Sequence, residues 1–285
     1  MTVSPTALLS GGTGYIGSHI RTRLVERGFD VVIVSRRPAP GHILSTRQLD
    51  ELIDEAVSLE PDIVIHAAGA GGASSPPAEW RDVIEANLTV GIALLEAATR
   101  LDRPLVALGS FFQHSVRRGA VVPNSVYAAA KTALEHVAAS FAAHRATSAT
   151  FLHLSDVYGP DDPRPRLLPA LAAAVHSGTP LDMSGGEQEV SFVHVSDVAD
   201  AVIAAVDASP VPGVNRSSVT GPHRGPLRST IEHLAVELDI NIPVRWGARQ
   251  YRNNELMVPE YLPWPIGWRP RITLAQGFRE LVERR

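Results

Sequence analysis

The chain contains 285 residues, carries a formal net charge of −4 at pH 7 and is 45% hydrophobic. This length allows one large domain or a main domain with a smaller lobe, and the charge gives no support for binding nucleic acid or a membrane surface. The absence of cysteine excludes disulfides and thiolate metal sites, and we expect no metal. Since no signal peptide or membrane-spanning apolar run is evident, we expect a cytoplasmic protein.

The first elements read as a strand, a glycine-rich turn, a helix and a second strand. An apolar strand covers 7–9, the turn covers 11–17, a helix runs from about 18 to 26, and the next strand covers 31–34. This order is typical of a dinucleotide-binding unit, in which glycines allow a tight turn and amides at the helix start bind pyrophosphate. We therefore expect cofactor contacts at Gly11, Thr13, Gly14, Tyr15, Ile16 and Gly17.

The residues at the end of the second strand indicate which dinucleotide binds. An acidic residue there would bind the ribose 2′-hydroxyl of NAD, but this chain has Ser35, Arg36 and Arg37. Two guanidinium groups and a hydroxyl suit a 2′-phosphate, so we predict NADP, used as NADPH. The alternative is that one or both arginines are only solvated loop residues.

The following segments continue the alternation of strands and helices. The strand over 62–66 runs into a turn of small residues, which would let a cofactor approach the backbone. A helix over about 79–99 carries Asn87, and further apolar strands follow. The alternation predicts an α/β fold with a Rossmann-type doubly wound parallel sheet, and we assign 1–155 to this dinucleotide-binding domain.

Tyr127 and Lys131 lie four residues apart and therefore face the same side of a helix. Lys131 is the only lysine in the chain, which suggests that its compact ammonium group cannot be replaced there by the arginines used elsewhere. A cation at this spacing favours the phenolate and is expected to lower the pKa of Tyr127, so that the hydroxyl can exchange protons near neutral pH. The alternative is an ordinary alanine-rich helix with one solvated lysine.

Together these features resemble the extended short-chain dehydrogenase/reductases that act on nucleotide sugars. Besides the glycine run and Tyr-x-x-x-Lys, the resemblance rests on His66-Ala67-Ala68, Asn87, Ser110, Val157-Tyr158-Gly159-Pro160, Phe192-Val193-His194-Val195-Ser196-Asp197-Val198 and Gly267-Trp268-Arg269-Pro270. It implies that Tyr127 is the acid/base, that Lys131 also holds the nicotinamide ribose, and that Ser110 binds the reacting oxygen. It further implies cofactor contacts at Ala67, Ala68, Gly69, Asn87, Tyr127, Lys131, Leu154 and Val157.

A narrower resemblance points to deoxysugar 4-ketoreductases of the CDP-abequose synthase type. The stretch Gly109-Ser110-Phe111-Phe112-Gln113-His114 is similar to their Gly-Thr-Phe-Trp-Gln-His, and the segments 156–166, 186–188 and 251–259 are similar to theirs as well. The resemblance implies NADPH-dependent reduction of the C4 ketone of a nucleotide-linked 4-keto-6-deoxyhexose. We favour a TDP-linked sugar, although the sequence leaves CDP open.

The remainder, 156–285, is expected to form a smaller C-terminal lobe that binds the nucleotide sugar, with a segment near 190–210 packing back on the first domain. Two arginines in its proline-rich start could bind a diphosphate, although they could equally be surface residues. The expected substrate contacts are Ser110, Phe112, Gln113, Asp156, Arg164, Arg166, Gln188 and Tyr251. The resemblance also implies a homodimer, for which the alanine-rich stretch 128–143 would allow close helix packing.

Three other functions remain open at this point. A 4,6-dehydratase would need extra acid/base groups after the serine, where this chain has Phe111 and Phe112. An epimerase keeps its NAD bound, which the paired arginines after the second strand do not favour. A non-enzymatic NADP-sensing regulator would be expected to lack part of the set formed by Ser110, Tyr127 and Lys131.

Overall fold

The computed structural model describes residues 4–36, 43–45, 48–72, 74–114, 116–117, 120–121, 123–145, 147–253 and 255–284. The strands are β1 (Thr6–Ser10), β2 (Asp30–Ser35), β3 (Ile43–Ser45), β4 (Ile63–His66), β5 (Leu105–Ser110), β6 (Val116–Arg117), β7 (Ala120–Val121), β8 (Ser148–Leu154), β9 (Asp156–Tyr158), β10 (Leu181–Asp182), β11 (Glu189–Val190), β12 (Phe192–His194), β13 (Gly213–Val219), β14 (Gly225–Pro226) and β15 (Val244–Arg245).

Helices alternate with these strands along most of the chain. The α-helices are α1 (Tyr15–Glu26), α2 (Leu49–Ser58), α3 (Trp80–Ile84), α4 (Val90–Arg100), α5 (Val126–His144), α6 (Leu167–Ser177), α7 (Val195–Asp207), α8 (Leu227–Leu238) and α9 (Leu274–Glu283). Short 3₁₀ helices cover Pro77–Glu79 and Phe111–His114, and a π-helical turn covers Glu85–Thr89.

A seven-stranded sheet with the order β13-β8-β5-β4-β1-β2-β3 forms the centre of the fold, and its neighbouring strands pair in parallel. Successive side chains of a strand point to opposite faces, and both faces here are covered. Ala7 and Leu9 therefore belong to one core cluster, which they share with α1 and α7, whereas Leu8 belongs to a second cluster with α2 and α4. The predicted doubly wound α/β fold is confirmed.

The order of the sheet reverses at β1, because the chain passes from β3 back across to β4 on the other side of β1. In such sheets the ligand crevice lies outside the carboxyl ends of the strands at this reversal. The last residues of β1 and β4, Ser10 and His66, are register partners there. Their side chains are hydrogen bonded, with Ser10 Oγ 2.9 Å from His66 Nδ1.

A third core cluster lies among α6, α8 and α9 and includes Tyr158, Leu171, Ile231 and Phe278. Helix α7, by contrast, packs through Val198 and other apolar residues against α1 in the cluster of the central sheet. The C-terminal part of the chain therefore contributes to two separate cores. No helix in the described ranges is long and apolar enough to cross a membrane, and no metal-binding cluster of His, Asp and Glu occurs among the same residues.

Candidate active site

The glycine-rich turn lies at the crevice and is packed tightly against backbone. At Gly11, whose φ is +74°, an added Cβ atom would lie 2.6 Å from the backbone nitrogen of Ala68, and at Gly17 it would overlap the carbonyl oxygen of Gly11. Helix α1 begins at Tyr15, and Gly14 before it offers no side chain to cap the first amides. These amides can therefore bind an anion, and the turn fits the pyrophosphate of a dinucleotide.

The other predicted cofactor residues surround the same edge of the sheet. Thr13 is exposed within the turn, Ile16 is half-buried on α1, and Leu154 and Val157 are buried at the end of β8 and in β9. The turn after β4 holds Ala67, Ala68 and Gly69, and the amide of Ala68 donates to Ser10 Oγ at 3.2 Å. The structure thus brings these residues together at the carboxyl edge.

Asn87 lies in the π-helical turn between α3 and α4, so the prediction of one regular helix over about 79–99 is wrong. Its Nδ2 donates to the carbonyl oxygens of Ala70, at 3.0 Å, and of Val83, at 2.8 Å. Its Oδ1 is buried and has no partner among the described residues. A bound group that donates a hydrogen bond would satisfy this oxygen, and a π-helical turn is a frequent means of re-aiming a functional side chain.

The end of β2 presents Arg36 to solvent, with 55% of its side chain exposed. Its Nη1 lies 3.9 Å from Asp82 Oδ2, which is a loose surface pair. Ser35, the last residue of β2, is half-buried, whereas Arg37 lies outside the described residues. Ser35 and Arg36 thus lie at the end of β2, where a contact with a 2′-phosphate stays a prediction.

Ser110 and Tyr127 meet across the gap between β5 and α5. Ser110 ends β5, and Tyr127 lies in the first turn of α5, whose start is capped by Ser125 Oγ accepting from the amide of Ala128 at 3.2 Å. The Ser110 side chain lies close enough to the Tyr127 hydroxyl to favour its ionised form. A hydroxyl pair of this kind can donate two hydrogen bonds to one oxygen of a bound ligand.

Burial raises the pKa of Tyr127, while the nearby Ser110 side chain and the charges of Arg166 and Arg164 oppose that rise. This direction contradicts the expectation that Lys131 lowers the pKa. The reason is geometric, because the Lys131 ammonium lies 5.5 Å from the centroid of the Tyr127 ring and is directed elsewhere. Tyr127 is therefore a proton donor that stays protonated well above neutral pH.

Lys131 is buried, with 6% of its surface exposed, so the alternative of a solvated lysine is wrong. Its Nζ donates to the carbonyl oxygen of Leu108 at 2.5 Å. Burial lowers the pKa of Lys131 to about 8, and the carboxylate of Glu135 opposes that change. Burial and the charge of Lys131 lower the pKa of the neighbouring His66 to about 3, so His66 is a neutral hydrogen-bonding residue.

The predicted substrate residues Phe112 and Gln113 follow Ser110 in a 3₁₀ helix, and they differ in burial and in their contacts. Phe112 is half-buried and stacks on Phe111 with ring centroids 4.3 Å apart. Gln113 is fully buried: its Oε1 accepts from the amide of Ser110 at 2.7 Å, and its Nε2 donates to Glu135 Oε1 at 2.6 Å. The expectation of a substrate contact from Gln113 is therefore not supported by its geometry.

The two arginines of the proline-rich segment occupy different environments. Arg164 Nε and Nη2 donate to the two carboxylate oxygens of Asp162, each at 2.7 Å, and its guanidinium stacks on the ring of Tyr15. Arg164 therefore faces the dinucleotide turn, and its pairing with a substrate diphosphate stays a prediction. Arg166 is exposed, and its charge acts on both Tyr127 and Asp156.

The remaining predicted substrate residues lie in the C-terminal part. Burial raises the pKa of Asp156 to about 6, and the nearby Arg166 opposes that change. The Oε1 of Gln188 is buried and has no partner within the described ranges. The hydroxyl of Tyr251 accepts from the amide of Glu187 at 2.9 Å, so Tyr251 shapes the loop that precedes Gln188.

Two further polar groups near Asp156 have no signal in the sequence. The hydroxyls of Ser155 and Tyr261 are buried and make no hydrogen bond in the part of the chain that the structure describes. The guanidinium of Arg224 stacks on the Tyr261 ring at 4.4 Å, and the charge of Asp156 acts on the Tyr261 hydroxyl. Tyr261 lies far along the chain from Asp156 in a segment without a motif, so only the fold reveals their proximity.

Comparison with known proteins identifies a family that this chain matches. The model of the NAD dependent epimerase/dehydratase family matches residues 7–215. CDP-abequose synthase of Yersinia pseudotuberculosis is 26% identical over 262 residues, covering 89% of this chain and 91% of the relative. The dTDP-6-deoxy-L-talose 4-dehydrogenase (NAD(P)(+)) of Kitasatospora kifunensis is 28% identical, covering 95% and 92% of the two chains.

The fold also matches solved structures. UDP-glucose 4-epimerase of Thermus thermophilus, solved in complex with NAD, superposes with a TM-score of 0.76 at 23% identity, and the match covers 97% of each chain. At this identity the likeness concerns the fold alone. The sugar nucleotides and the NAD in these names belong to those proteins.

Proposed function

The chain belongs to the NAD dependent epimerase/dehydratase family, and we propose that it reduces the C4 ketone of a nucleotide-linked 4-keto-6-deoxyhexose with NADPH. The observation that carries this proposal is the proximity of the Ser110 side chain to the Tyr127 hydroxyl at the carboxyl edge of the sheet, with Lys131 buried one helical turn behind. A ketone reduction needs this combination, because negative charge develops on the carbonyl oxygen and must be stabilised and protonated.

When bound, a reduced nicotinamide would supply the electron pair for the carbonyl carbon. Tyr127 gives its proton to the sugar O4 as negative charge develops on that oxygen, and Ser110 donates a second hydrogen bond to it. Since the pKa of Tyr127 is raised, the hydroxyl is fully protonated at neutral pH and ready to donate. The ammonium of Lys131 donates to the carbonyl oxygen of Leu108 and would also hold the nicotinamide ribose, which keeps one positive charge at this end of the site.

The proposed preference for NADPH is supported by Arg36 at the end of β2. Its exposed guanidinium forms a loose surface pair with Asp82, which a 2′-phosphate could replace. A ribose 2′-hydroxyl would gain little from a cation at that place. The glycine turn and the unpartnered Oδ1 of Asn87 would bind the rest of the dinucleotide.

The proposed sugar nucleotide would lie between Ser110 and the C-terminal residues Asp156, Arg166, Gln188 and Tyr251. The exposed guanidinium of Arg166 suits a diphosphate, and the buried oxygen of Gln188 suits a donor on the sugar or the base. The names of the Yersinia and Kitasatospora relatives connect similar chains with CDP- and dTDP-linked deoxysugars. We favour the TDP-linked substrate and propose that the enzyme works as a homodimer.

The test is to mix purified protein with TDP-4-keto-6-deoxyglucose and NADPH and to follow the loss of reduced-nicotinamide absorbance. NADH and the CDP-linked sugar are run in parallel, and Tyr127→Phe serves as the matched variant. We expect oxidation of NADPH that depends on the keto-sugar and falls about two to four orders of magnitude in Tyr127→Phe. No oxidation with any keto-sugar, together with tightly copurifying NAD, would contradict the reductase and favour an epimerase.

A further inference from the structure

A buried carboxylate lies behind the proposed active site. Glu135 stands one helical turn after Lys131 on α5 and is buried. Its Oε1 accepts from Gln113 Nε2 and from His153 Nε2, both at 2.6 Å, and its Oε2 accepts from Arg216 Nε at 2.6 Å. Glu135 therefore joins α5 to the 3₁₀ helix after β5, to β8 and to the edge strand β13. Because these partners are donors, the carboxylate stays ionised, and they lower its pKa to about 2 although burial alone would raise it.

The cluster formed by Glu135, Gln113, His153 and Arg216 connects to Ser110 through the side chain of Gln113. Gln113, held by Glu135, accepts from the amide of Ser110 at 2.7 Å, and Ser110 Oγ in turn lies 3.4 Å from the amide of Phe112. At Gly109 an added Cβ atom would lie 2.8 Å from Gln113 Oε1 and would overlap the ring of His153. The end of β5 is therefore packed directly against this cluster, and its position depends on the bond between Gln113 and Glu135.

The same carboxylate acts on the ammonium of Lys131. The other titratable groups that face Lys131 are Tyr127, on its own helix, and His66, on β4. Both are neutral at neutral pH, so Glu135 is the group whose charge opposes the effect of burial on Lys131. The remaining charges around Glu135 are Arg216 and, when protonated, His153.

We propose that Glu135 is a positioning residue that links Ser110 to Lys131, fixing the backbone of the first through Gln113 and keeping a negative charge one helical turn from the second. The effect of Glu135 on catalysis rests on the proposed reductase function. The link to Lys131, however, is a property of the folded protein without substrate. The two parts can therefore be tested separately.

The first experiment uses the fact that Lys131 is the only lysine in the chain. Protein labelled with lysine that carries ¹³C at its ε carbon gives one side-chain signal, whose chemical shift is followed against pH. We expect Glu135→Gln to lower the midpoint of the Lys131 titration by at least about one pH unit, because it removes an opposite charge about one turn away. Arg216→Met, which breaks the outer ion pair and keeps the carboxylate, should not lower that midpoint. Glu232→Gln makes the same chemical change in an exposed pair with Arg228 and should have no effect.

The second experiment measures keto-sugar reduction by Gln113→Leu, which cuts the link to Ser110 and leaves Glu135 with His153 and Arg216. We expect kcat to fall about tenfold to a hundredfold with the KM for NADPH unchanged, because the Ser110 hydrogen bond acts on the developing charge. A kcat within twofold of wild type in Gln113→Leu would overturn the link to Ser110. This result would count even if Glu135→Gln does not fold. An unchanged lysine midpoint in Glu135→Gln, or an equal fall in Arg216→Met, would overturn the link to Lys131. Because the titration needs no substrate, failure of the reductase function would not be mistaken for either result.

Discussion

The guanidinium carbon of Arg164 lies 4.9 Å from the centroid of the Tyr15 ring, so a loop from the C-terminal half covers the first residue of α1. Asp162 fixes this arrangement through a bidentate pair with Arg164. Tyr15 begins the helix whose free amides face the proposed pyrophosphate site. The position of this loop therefore depends on its contact with the helix that follows the dinucleotide turn.

Replacing Arg164 by leucine is predicted to weaken the binding of the dinucleotide more than the binding of the sugar nucleotide. Loss of the stacking contact, worth about 0.5–2 kcal/mol, should raise the KM for NADPH several-fold. Arg166→Leu is the matched control, since Arg166 is exposed and acts on Tyr127 and Asp156, and it should raise the KM for the sugar nucleotide instead. Steady-state kinetics with each substrate varied in turn would show the difference. The same pattern of KM changes in both variants would contradict it.

The pH dependence of the reaction is predicted to have an alkaline limb set by Lys131. Burial lowers the pKa of this amine to about 8, and it is charged below that value and neutral above it. Tyr127 stays protonated across this range because its own pKa is raised. The value of kcat/KM, which reports the free enzyme, should therefore fall as the pH rises through about 8. A profile that is flat between about pH 7 and pH 9.5 would contradict the assignment.

Asp156 is predicted to destabilise the folded protein at neutral pH. Its pKa rises from 3.8 to about 6 on burial, so the folded state binds the proton more tightly than the unfolded state. The resulting stability is fully present below about pH 4 and is lost as the pH rises through about 6. Because the side chain is partly exposed, the free energy involved is about 1–3 kcal/mol.

The variant Asp156→Asn lacks this titration and isolates its effect. Its free energy of unfolding, relative to wild type, should increase by that amount between about pH 4 and pH 7. Urea denaturation at the two pH values measures the change. A difference between the proteins that is the same at both values would show that Asp156 is not the group responsible.

The glycine turn is predicted to tolerate no side chain at Gly17, where a methyl group would overlap the carbonyl oxygen of Gly11. Gly17→Ala should push α1 away from the turn and weaken NADPH binding at least about tenfold, since the helix amides would move from the anion. Gly72→Ala is the matched control, because nothing lies within 4 Å of the added methyl group. Fluorescence titration with NADPH measures both. Equal affinities in the two variants would contradict this role of Gly17.

The central sheet could be predicted from the sequence because its determinants are local. The apolar runs of β1, β2 and β4 and the glycines between them specify a parallel unit without any distant contact. The π-helical turn at Asn87 was missed, since the same residues also fit a regular helix over that span. A change of one residue in helical phase leaves no pattern in a single sequence.

The candidate site was predictable only in part, for reasons of distance along the chain. Ser110, Tyr127 and Lys131 follow a short spacing and are brought together by the fold. The environment of Arg164 depends on Tyr15, which lies far from it in the sequence, and that of Gln113 depends on Glu135, which belongs to no motif that the sequence analysis identified. In the sequence these polar residues look available to substrate, whereas in the structure they pair with other residues of the protein.

The most direct test of the proposed reduction is to follow the label from deuterated NADPH, carrying deuterium on the transferable position of its nicotinamide, into the sugar. One equivalent is incubated with TDP-4-keto-6-deoxyglucose, and the released sugar nucleotide is examined by mass spectrometry and NMR. We predict one deuterium at C4 of the product and a matching amount of oxidised NADP. A product without deuterium at C4, or a sugar converted while the dinucleotide stays unchanged, would contradict the proposed reaction.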